Sequence, residues 1–445
     1  MFIAAALASS MGSFAQSDTL SLKQCIELGI EKNLSLQNSR QGIRTAEIGR
    51  TENRAKLLPI IQGFGNFTNN VERATQLTDG TNLSKLLGVD APYMTGKGLR
   101  YTTVGGFQLS MPLYDQTIYT GIGIANKMVE ISRCSYEKAR EDLTVEIAKL
   151  YYLIQTTDEQ IRLTKKNITR LEELYGITEA FYQNDIVLEV DVKRVSVNLS
   201  NLRVKLDNAE SMLEQQLNML RYMLDLAPEA PIAVNRLDTG NNLLSGFLPG
   251  NLSDNLYEFQ ILDKQTELLA KQKRMINQGY IPSLSLVGNF SYAAYTDHFR
   301  NYFHSHPTNK WYNSTYWGLS LKIPVFDGFA KRNKVRRIES EQITLQNTIE
   351  DTHNKLQTQF GNAMQDWQNN MRNVRNQSEN YRLAEDIYTV TADQYREGVA
   401  SMTDLLQDEM QMTNTETTYV TAVYNLLASR LTLMKLSGQL NLLTE

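Results

Sequence analysis

Few residues in this chain have the type and spacing that chemistry requires. His304-x-His306 has the spacing of a metal-binding pair, but no third histidine or cysteine pattern accompanies it, so it reads as a solvated loop. His298 and His353 are isolated. Cys25 and Cys134 are the only cysteines, too few for a metal motif or a disulfide framework. No G-x-S-x-G elbow, P-loop or dinucleotide fingerprint occurs in context. Neither catalysis, a metal nor a cofactor is expected. What remains is a set of carboxylates, tyrosines and turn residues at two short interruptions. One runs from Tyr182 through Asp185 to Asp191. The other runs from Tyr395 through Gly398 and Ser401 to Asp404, with Asp408 one turn on. Ser401-x-x-Asp404 has the spacing of a capping box, with Asp in place of Glu or Gln. Gly398 suits a left-handed helix end. Leu188 stands where a cap serine would precede Asp191, so capping explains Asp191 less well than Asp404. A hydroxyl and a carboxylate can also join neighbouring helices through a charge-assisted hydrogen bond.

The elements that position these residues follow from the spacing of apolar side chains. Prolines occur at nine positions, and none falls in 113–227 or 325–445. Both stretches are rich in helix-forming Leu, Glu, Gln, Lys, Arg and Ala. Ile147, Ile154, Ile161, Ile168 and Tyr175 fall one heptad apart. Val192, Val195, Leu199, Leu202, Leu206, Ala209 and Leu213 then alternate three and four apart. In the second stretch Phe360, Trp367, Val374, Tyr381, Tyr388 and Tyr395 lead to Leu405, Met412, Tyr419, Leu426, Leu433 and Leu440. A sustained seven-residue repeat keeps one apolar seam against a partner helix, as in a coiled coil. A helix from about residue 116 to about 182 would be about 100 Å long. The aromatic heptads read as helix packing rather than as a base-stacking platform.

A period of two marks four other segments. Leu284, Leu286, Phe290 and Tyr292 alternate with Ser283, Ser285, Asn289 and Ser291. Trp317, Leu319, Leu321 and Ile323 alternate with Ser314, Tyr316, Gly318, Ser320 and Lys322. Tyr101, Phe107, Leu109 and Met111 alternate with Thr102, Gly106, Gln108 and Ser110, and residues 60–69 alternate less cleanly. Such strands fit a barrel with lipid outside and water inside, or one half-buried sheet of a soluble fold. Trp311, Tyr312 and Trp317 fit either an interfacial girdle or ordinary packing.

The chain is internally duplicated. Pro59-Ile-Ile-Gln-Gly-Phe-Gly-Asn-Phe67 matches Pro282-Ser-Leu-Ser-Leu-Val-Gly-Asn-Phe290. Gly106–Asp115 matches Gly318–Asp327, Tyr182 pairs with Tyr395, and Asp191 pairs with Asp404. The first strand pair encloses the longer loop, at about 70–100. The expected organisation is an export signal at 1–15, then a first repeat at 16–226 with its strand pair in 60–113. A linker follows at 227–252, then a second repeat at 253–445 with its strand pair in 283–325. The signal lacks a positively charged start, which truncation would explain. No run of 18 apolar residues follows it, so no transmembrane helix is expected. Mean hydropathy of −0.37 is too polar for a bundle of membrane helices. A net charge of −4 gives no electrostatic case for nucleic acid.

Tyr395-Arg-Glu-Gly398-Val-Ala-Ser401-Met-Thr-Asp404-Leu-Leu406 resembles the tip motif of the TolC family. Leu22–Asn33 resembles that family's first helix, and Leu58-Pro59 and Pro324-Val-Phe-Asp-Gly328 resemble its helix–strand junctions. The resemblance covers nearly the whole chain. It implies a mainly α protein with a transmembrane β-barrel: a homotrimer giving four strands per protomer to a twelve-stranded barrel. Its long coiled-coil helices would form one trimeric α-barrel tunnel. The expected function is the outer-membrane duct of a tripartite efflux or type I secretion system, embedded in outer-membrane lipid and extending into the periplasm. Its partners would be a periplasmic adaptor and an inner-membrane transporter of the RND, ABC or MFS type. Asp404 matches the family's aperture acid, and Tyr395 and Asp191 match positions that link tip helices. A second family acid is replaced by Gln407, with Asp408 adjacent. The alternative is a periplasmic coiled-coil structural or adaptor protein, which would need no lipid-facing strands. An envelope hydrolase would need a nucleophile and base that the sequence does not bring together.

Overall fold

The computed structural model describes residues 19–79, 88, 93–237, 247–303 and 310–443. The expected export signal, the His304-x-His306 pair and part of the 227–252 linker lie outside the described residues. The chain divides into two compact units. One contains the described residues up to Arg44, Ile131–Lys264 and those from Leu345 on; the other contains Thr45–Glu130 and Gln265–Thr344. The fold is mainly helical. Seven helices are described: α1 (Leu22–Lys32), α2 (Leu34–Ala55), α3 (Gln116–Gln183), α4 (Glu189–Met223), α5 (Tyr257–Gln278), α6 (Ala330–Arg396) and α7 (Met402–Leu436). The 68-residue α3 and 67-residue α6 realise the two long heptad runs.

In the second unit, four strands form one antiparallel sheet: β2 (Ile60–Asn69), β5 (Tyr101–Tyr114), β7 (Ser283–Thr296) and β8 (Trp311–Lys322), in the order β2-β5-β7-β8. The register sorts the two predicted faces. Gln62, Gln108, Asn289 and Tyr316 form one cross-strand rank, and Ile61, Leu109, Gly288 and Trp317 form the next. Paired residues of antiparallel strands project to the same side. One face therefore carries Ile61, Phe107, Leu109, Phe290, Leu286, Trp317 and Leu319, and the other carries Gln62, Gln108, Ser110, Asn289, Ser291 and Ser320. The apolar face is uncovered: Ile61, Phe107, Phe290, Trp317 and Leu319 are all exposed. So are Trp311 and Tyr312. Pro112, which has no N–H to give a ladder, sits where the β5–β7 register shifts.

The region read as a plain loop at about 70–100 holds a further ladder. There β3 (Thr75–Asp79) pairs antiparallel with β4 (Tyr93–Lys97). In the first unit, β1 (Thr19–Leu20) pairs parallel with β6 (Ala233–Val234). No helix among the described residues is long and apolar enough to cross a membrane.

The sheet gives way to long helices through matched aspartates. Asp115 accepts from Thr117 N at 2.9 Å at the start of α3, and Asp327 accepts from Lys331 N at 3.1 Å at the start of α6. At the front of the chain the first repeat departs from the second. Asn33 breaks the helix: its Oδ1 accepts from Leu36 N at 3.1 Å, capping α2, while its Nδ2 donates to Met223 O at 3.0 Å. Helix α2 and helix α5 are both 22 residues long and begin 223 positions apart, at Leu34 and Tyr257. No helix precedes α5 over the described residues 247–256.

The apolar heptads close the first unit. Ile147 and Ile154 are fully buried with Cys25, Ile26 and Leu220. Leu171, Val195, Leu199, Tyr388, Leu405 and Met412 form another cluster from α3, α4, α6 and α7. Each fully buried Leu or Ile contributes about 1.5–3 kcal/mol. Both cysteines are free and buried, and burial pushes the Cys25 thiol up to about 12, which leaves it unreactive.

Candidate functional site

The candidate residues collect at the two helix-to-helix tips, α3–α4 and α6–α7, both in the first unit. Each tip ends its incoming helix with the same pair of backbone bonds. Val399 N donates to Gln394 O at 2.8 Å and Gly398 N to Tyr395 O at 3.0 Å. Ile186 N donates to Phe181 O at 2.9 Å and Asp185 N to Tyr182 O at 3.0 Å. This is the Schellman arrangement, which needs a left-handed residue at its corner. Gly398 supplies it with φ +77° and Asp185 with φ +55°. The 213-residue correspondence seen in Tyr182 and Tyr395 thus extends to backbone conformation.

The outgoing helices start differently. Ser401 Oγ accepts from Asp404 N at 3.2 Å, and Asp404 Oδ2 accepts from Ser401 N at 3.3 Å and Ser401 Oγ at 2.6 Å. The capping box is complete, with a shorter acid than usual. Leu188 provides no side-chain cap. Asp191 instead accepts from Arg194 Nη1 at 3.2 Å, and the same nitrogen donates to Thr403 Oγ1 at 2.9 Å. Arg194 therefore ties the first turn of α4 to the first turn of α7. Asp408 accepts from Thr391 Oγ1 at 2.7 Å, which fastens α7 back onto α6.

Tyr395 is buried against Phe181, ring to ring at 6.4 Å. Its hydroxyl stands beside Thr178 yet closes no hydrogen bond of ordinary geometry. Burial pushes its pKa up, and the Asp191 charge pushes in the same direction. Within one protomer, then, Asp191, Arg194 and Thr403 come together, Asp404 and Asp408 serve their own hairpin, and Tyr395 does not bond Asp191.

The heptad pattern also hid a polar group. The seam of α7 has two rows, and the row Leu405, Met412, Tyr419, Leu426 is the apolar one. The other row reads Met402, Glu409, Glu416, Val423. Glu409 and Glu416 are buried there with Thr413. Acids at seam spacing were the signal that could have revealed them. Among the described residues, no group of three or more His, Cys, Asp or Glu is placed to hold a metal ion.

Comparison with known proteins gives this architecture a setting. The sequence profile of a family described as "Outer membrane efflux protein" matches residues 26–225 and 265–439. The chain is 20% identical to the outer membrane protein TolC of Salmonella enteritidis over 383 residues, 80% of this chain and 74% of that protein. Its fold is similar to the outer membrane protein VceC of Vibrio cholerae, with TM-score 0.72 and 14% identity, covering 94% of this chain and 96% of that one. It is equally similar to the CmeC outer membrane channel of Campylobacter jejuni, with TM-score 0.72 and 15% identity, covering 99% and 94%.

Proposed function

The chain belongs to the outer membrane efflux protein family, and from that premise we propose that three copies build one passive conduit. The protein is an outer-membrane channel of tripartite efflux, seated in the outer membrane and extending into the periplasm. Channels of this kind are homotrimers that meet periplasmic adaptors and inner-membrane pumps, and the family is not one of enzymes.

The observation that carries the assembly is the sheet β2-β5-β7-β8. It has one uncovered apolar face, one polar face and two outer strands, β2 and β8, each with a single partner. Open strand edges are not tolerated in lipid, and four strands are too few to close on themselves. Three such sheets joined edge to edge give a barrel of twelve strands with no edges. The helices make the same demand. Val190, Val197 and Val204 repeat every seventh residue on α4 and are all exposed, as are Leu383, Ile387 and Val390 on α6. Apolar stripes of this kind call for neighbouring helices. The two repeats, 16–226 and 253–445 about a 227–252 linker, would each supply one strand pair and one long hairpin.

At the tips, Asp404, with Asp408 behind it, would ring the aperture three times over. Asp191, through Arg194 and Thr403, and Tyr395, packed on Phe181, would hold the two tips of a protomer together, and Gly398, Ser401 and Asp185 would shape the turns. The transporter partner would be of RND, ABC or MFS type. Cell fractionation tests the reading. Recovery in outer-membrane fractions, released only by detergent, is expected. Recovery as a soluble periplasmic protein would instead return the coiled-coil adaptor.

A further inference from the structure

Helices α3, α6 and α7 enclose a stretch of seam that apolar side chains do not fill. Glu409 and Glu416 lie one heptad apart on α7, 3% and 0% exposed, and Asn167 on α3 is 1% exposed. Asn167 Nδ2 donates to Glu416 Oε2 at 2.7 Å and to Thr413 Oγ1 at 3.3 Å, and Thr413 Oγ1 donates to Glu409 Oε1 at 3.0 Å. The four side chains form one hydrogen-bonded chain. Asn167 Oδ1 is buried without a partner, and Glu416 Oε1 closes no hydrogen bond of ordinary geometry although the Tyr381 hydroxyl stands beside this carboxyl.

One half-buried cation, Arg170, stands near with its Nη2 atom buried. Arg170 lies over the Tyr388 ring at 5.2 Å and donates to Met412 Sδ at 2.9 Å, leaving its Nη2 without a partner. No ion pair joins Arg170 or any other base to either glutamate among the described residues. Lys166 pairs outward with Glu385 at 3.3 Å. Glu409 faces Thr413, Arg170, Lys205 of α4, Tyr388 of α6 and Glu416; Glu416 faces Asn167, Arg162, Lys166 and Arg170 of α3 and Tyr381 of α6. Two ionised carboxylates, 3% and 0% exposed and neither in an ion pair, would be poorly compensated in this seam. Buried charge is tolerated only when compensated. A single added proton removes one of the two buried charges.

We propose that the Glu409–Thr413–Asn167–Glu416 chain is a proton-binding site whose emptying, as pH rises, loosens the seam between α3 and α7 behind the tips. Burial raises both carboxyls above their ordinary range, while Arg170 and the hydrogen bonds pull the other way. The two glutamates share the proton as a coupled pair. A raised folded pKa gives stability that is complete below the ordinary carboxylate range and is lost as pH climbs through the raised value. Rising pH therefore slackens the bundle and falling pH tightens it.

The test uses the full chain in detergent, with thermal melting and infrared spectroscopy over a pH series running upward from the ordinary carboxylate range. Wild type should melt progressively lower as pH rises and lose the band of a protonated carboxyl over the same range. Glu416→Gln, a neutral isostere, leaves Glu409 alone to hold the proton and should lose that band, and the fall in melting with it, at lower pH than wild type. Should that variant not fold, Glu409→Gln serves, because removing the neighbouring charge should move the band's loss to lower pH. Parallel melting profiles in Glu416→Gln and wild type, or a band whose pH of loss is unmoved in Glu409→Gln, would overturn the proposal.

Discussion

Replacing Gly398 with Ala isolates the energetics of one tip. The residue sits at φ +77°, and a Cβ built there meets nothing within 4 Å. Its cost is therefore backbone strain alone. For a residue other than Gly, the left-handed region costs about 1–2 kcal/mol. That strain is released when the corner opens, so the open state of the tip should become about 5–30 times more populated. The readout is amide hydrogen exchange at Val399 and Ala400, whose N–H groups donate to Gln394 O at 2.8 and 3.2 Å. Both should exchange faster by that factor, while Ile186 in the other tip keeps its rate. The reciprocal change, Asp185→Gly, should alter exchange at Ile186 by much less. Asp tolerates the left-handed region better than most residues, and Gly loses more freedom on folding. Unchanged exchange at Val399, or an equal acceleration at Ile186, would refute the assignment of strain to this corner.

Three further outcomes follow from the same geometry. Ser401→Ala removes the capping box and should cost about 0.5–2 kcal/mol in denaturant melting; Leu188→Ser supplies a missing cap ahead of Asp191 and should stabilise α4 by a smaller amount. Gly106→Ala drives a Cβ into Phe290 O and Ser291, inside the β5–β7 ladder. Detergent-resistant assembly should fail in that variant, and wild-type yields would contradict the register. Asp404→Ala and Asp191→Ala should each raise ion flow through the closed channel in planar bilayers, and unchanged conductance in both would remove these residues from the gate.

The sequence displayed the fold wherever one period ran long enough to be unambiguous. Heptads from Ile147 to Ile168 set the buried seam of α3, and the alternation around Leu284 and Trp317 set the two faces of the sheet. The tip turns were legible through Gly398 and Ser401, because their backbone and side-chain roles belong to few residue types. Asp185 was harder to interpret, since a left-handed Asp looks like any other acid until its φ is known. The break at Asn33 was hidden because the residue caps one helix while donating to Met223 O, 190 positions away. The β3–β4 ladder was missed because Thr75–Asp79 and Tyr93–Lys97 are too short for periodicity to speak. Glu409 and Glu416 were overlooked for a different reason. Acids on a long polar helix look solvated, and only their 3–4 spacing with Met402, Leu405 and Met412 places them on the seam.

The claim on which everything else depends is that three chains share one membrane barrel. Native mass measurement of the detergent-extracted protein tests it most directly. The account predicts a single species of three chains, each 50.7 kDa less any export signal, that falls apart only when the barrel is denatured. A monomer or dimer stable without detergent would contradict it, because the apolar face of β2-β5-β7-β8 would then have to be covered by something other than lipid.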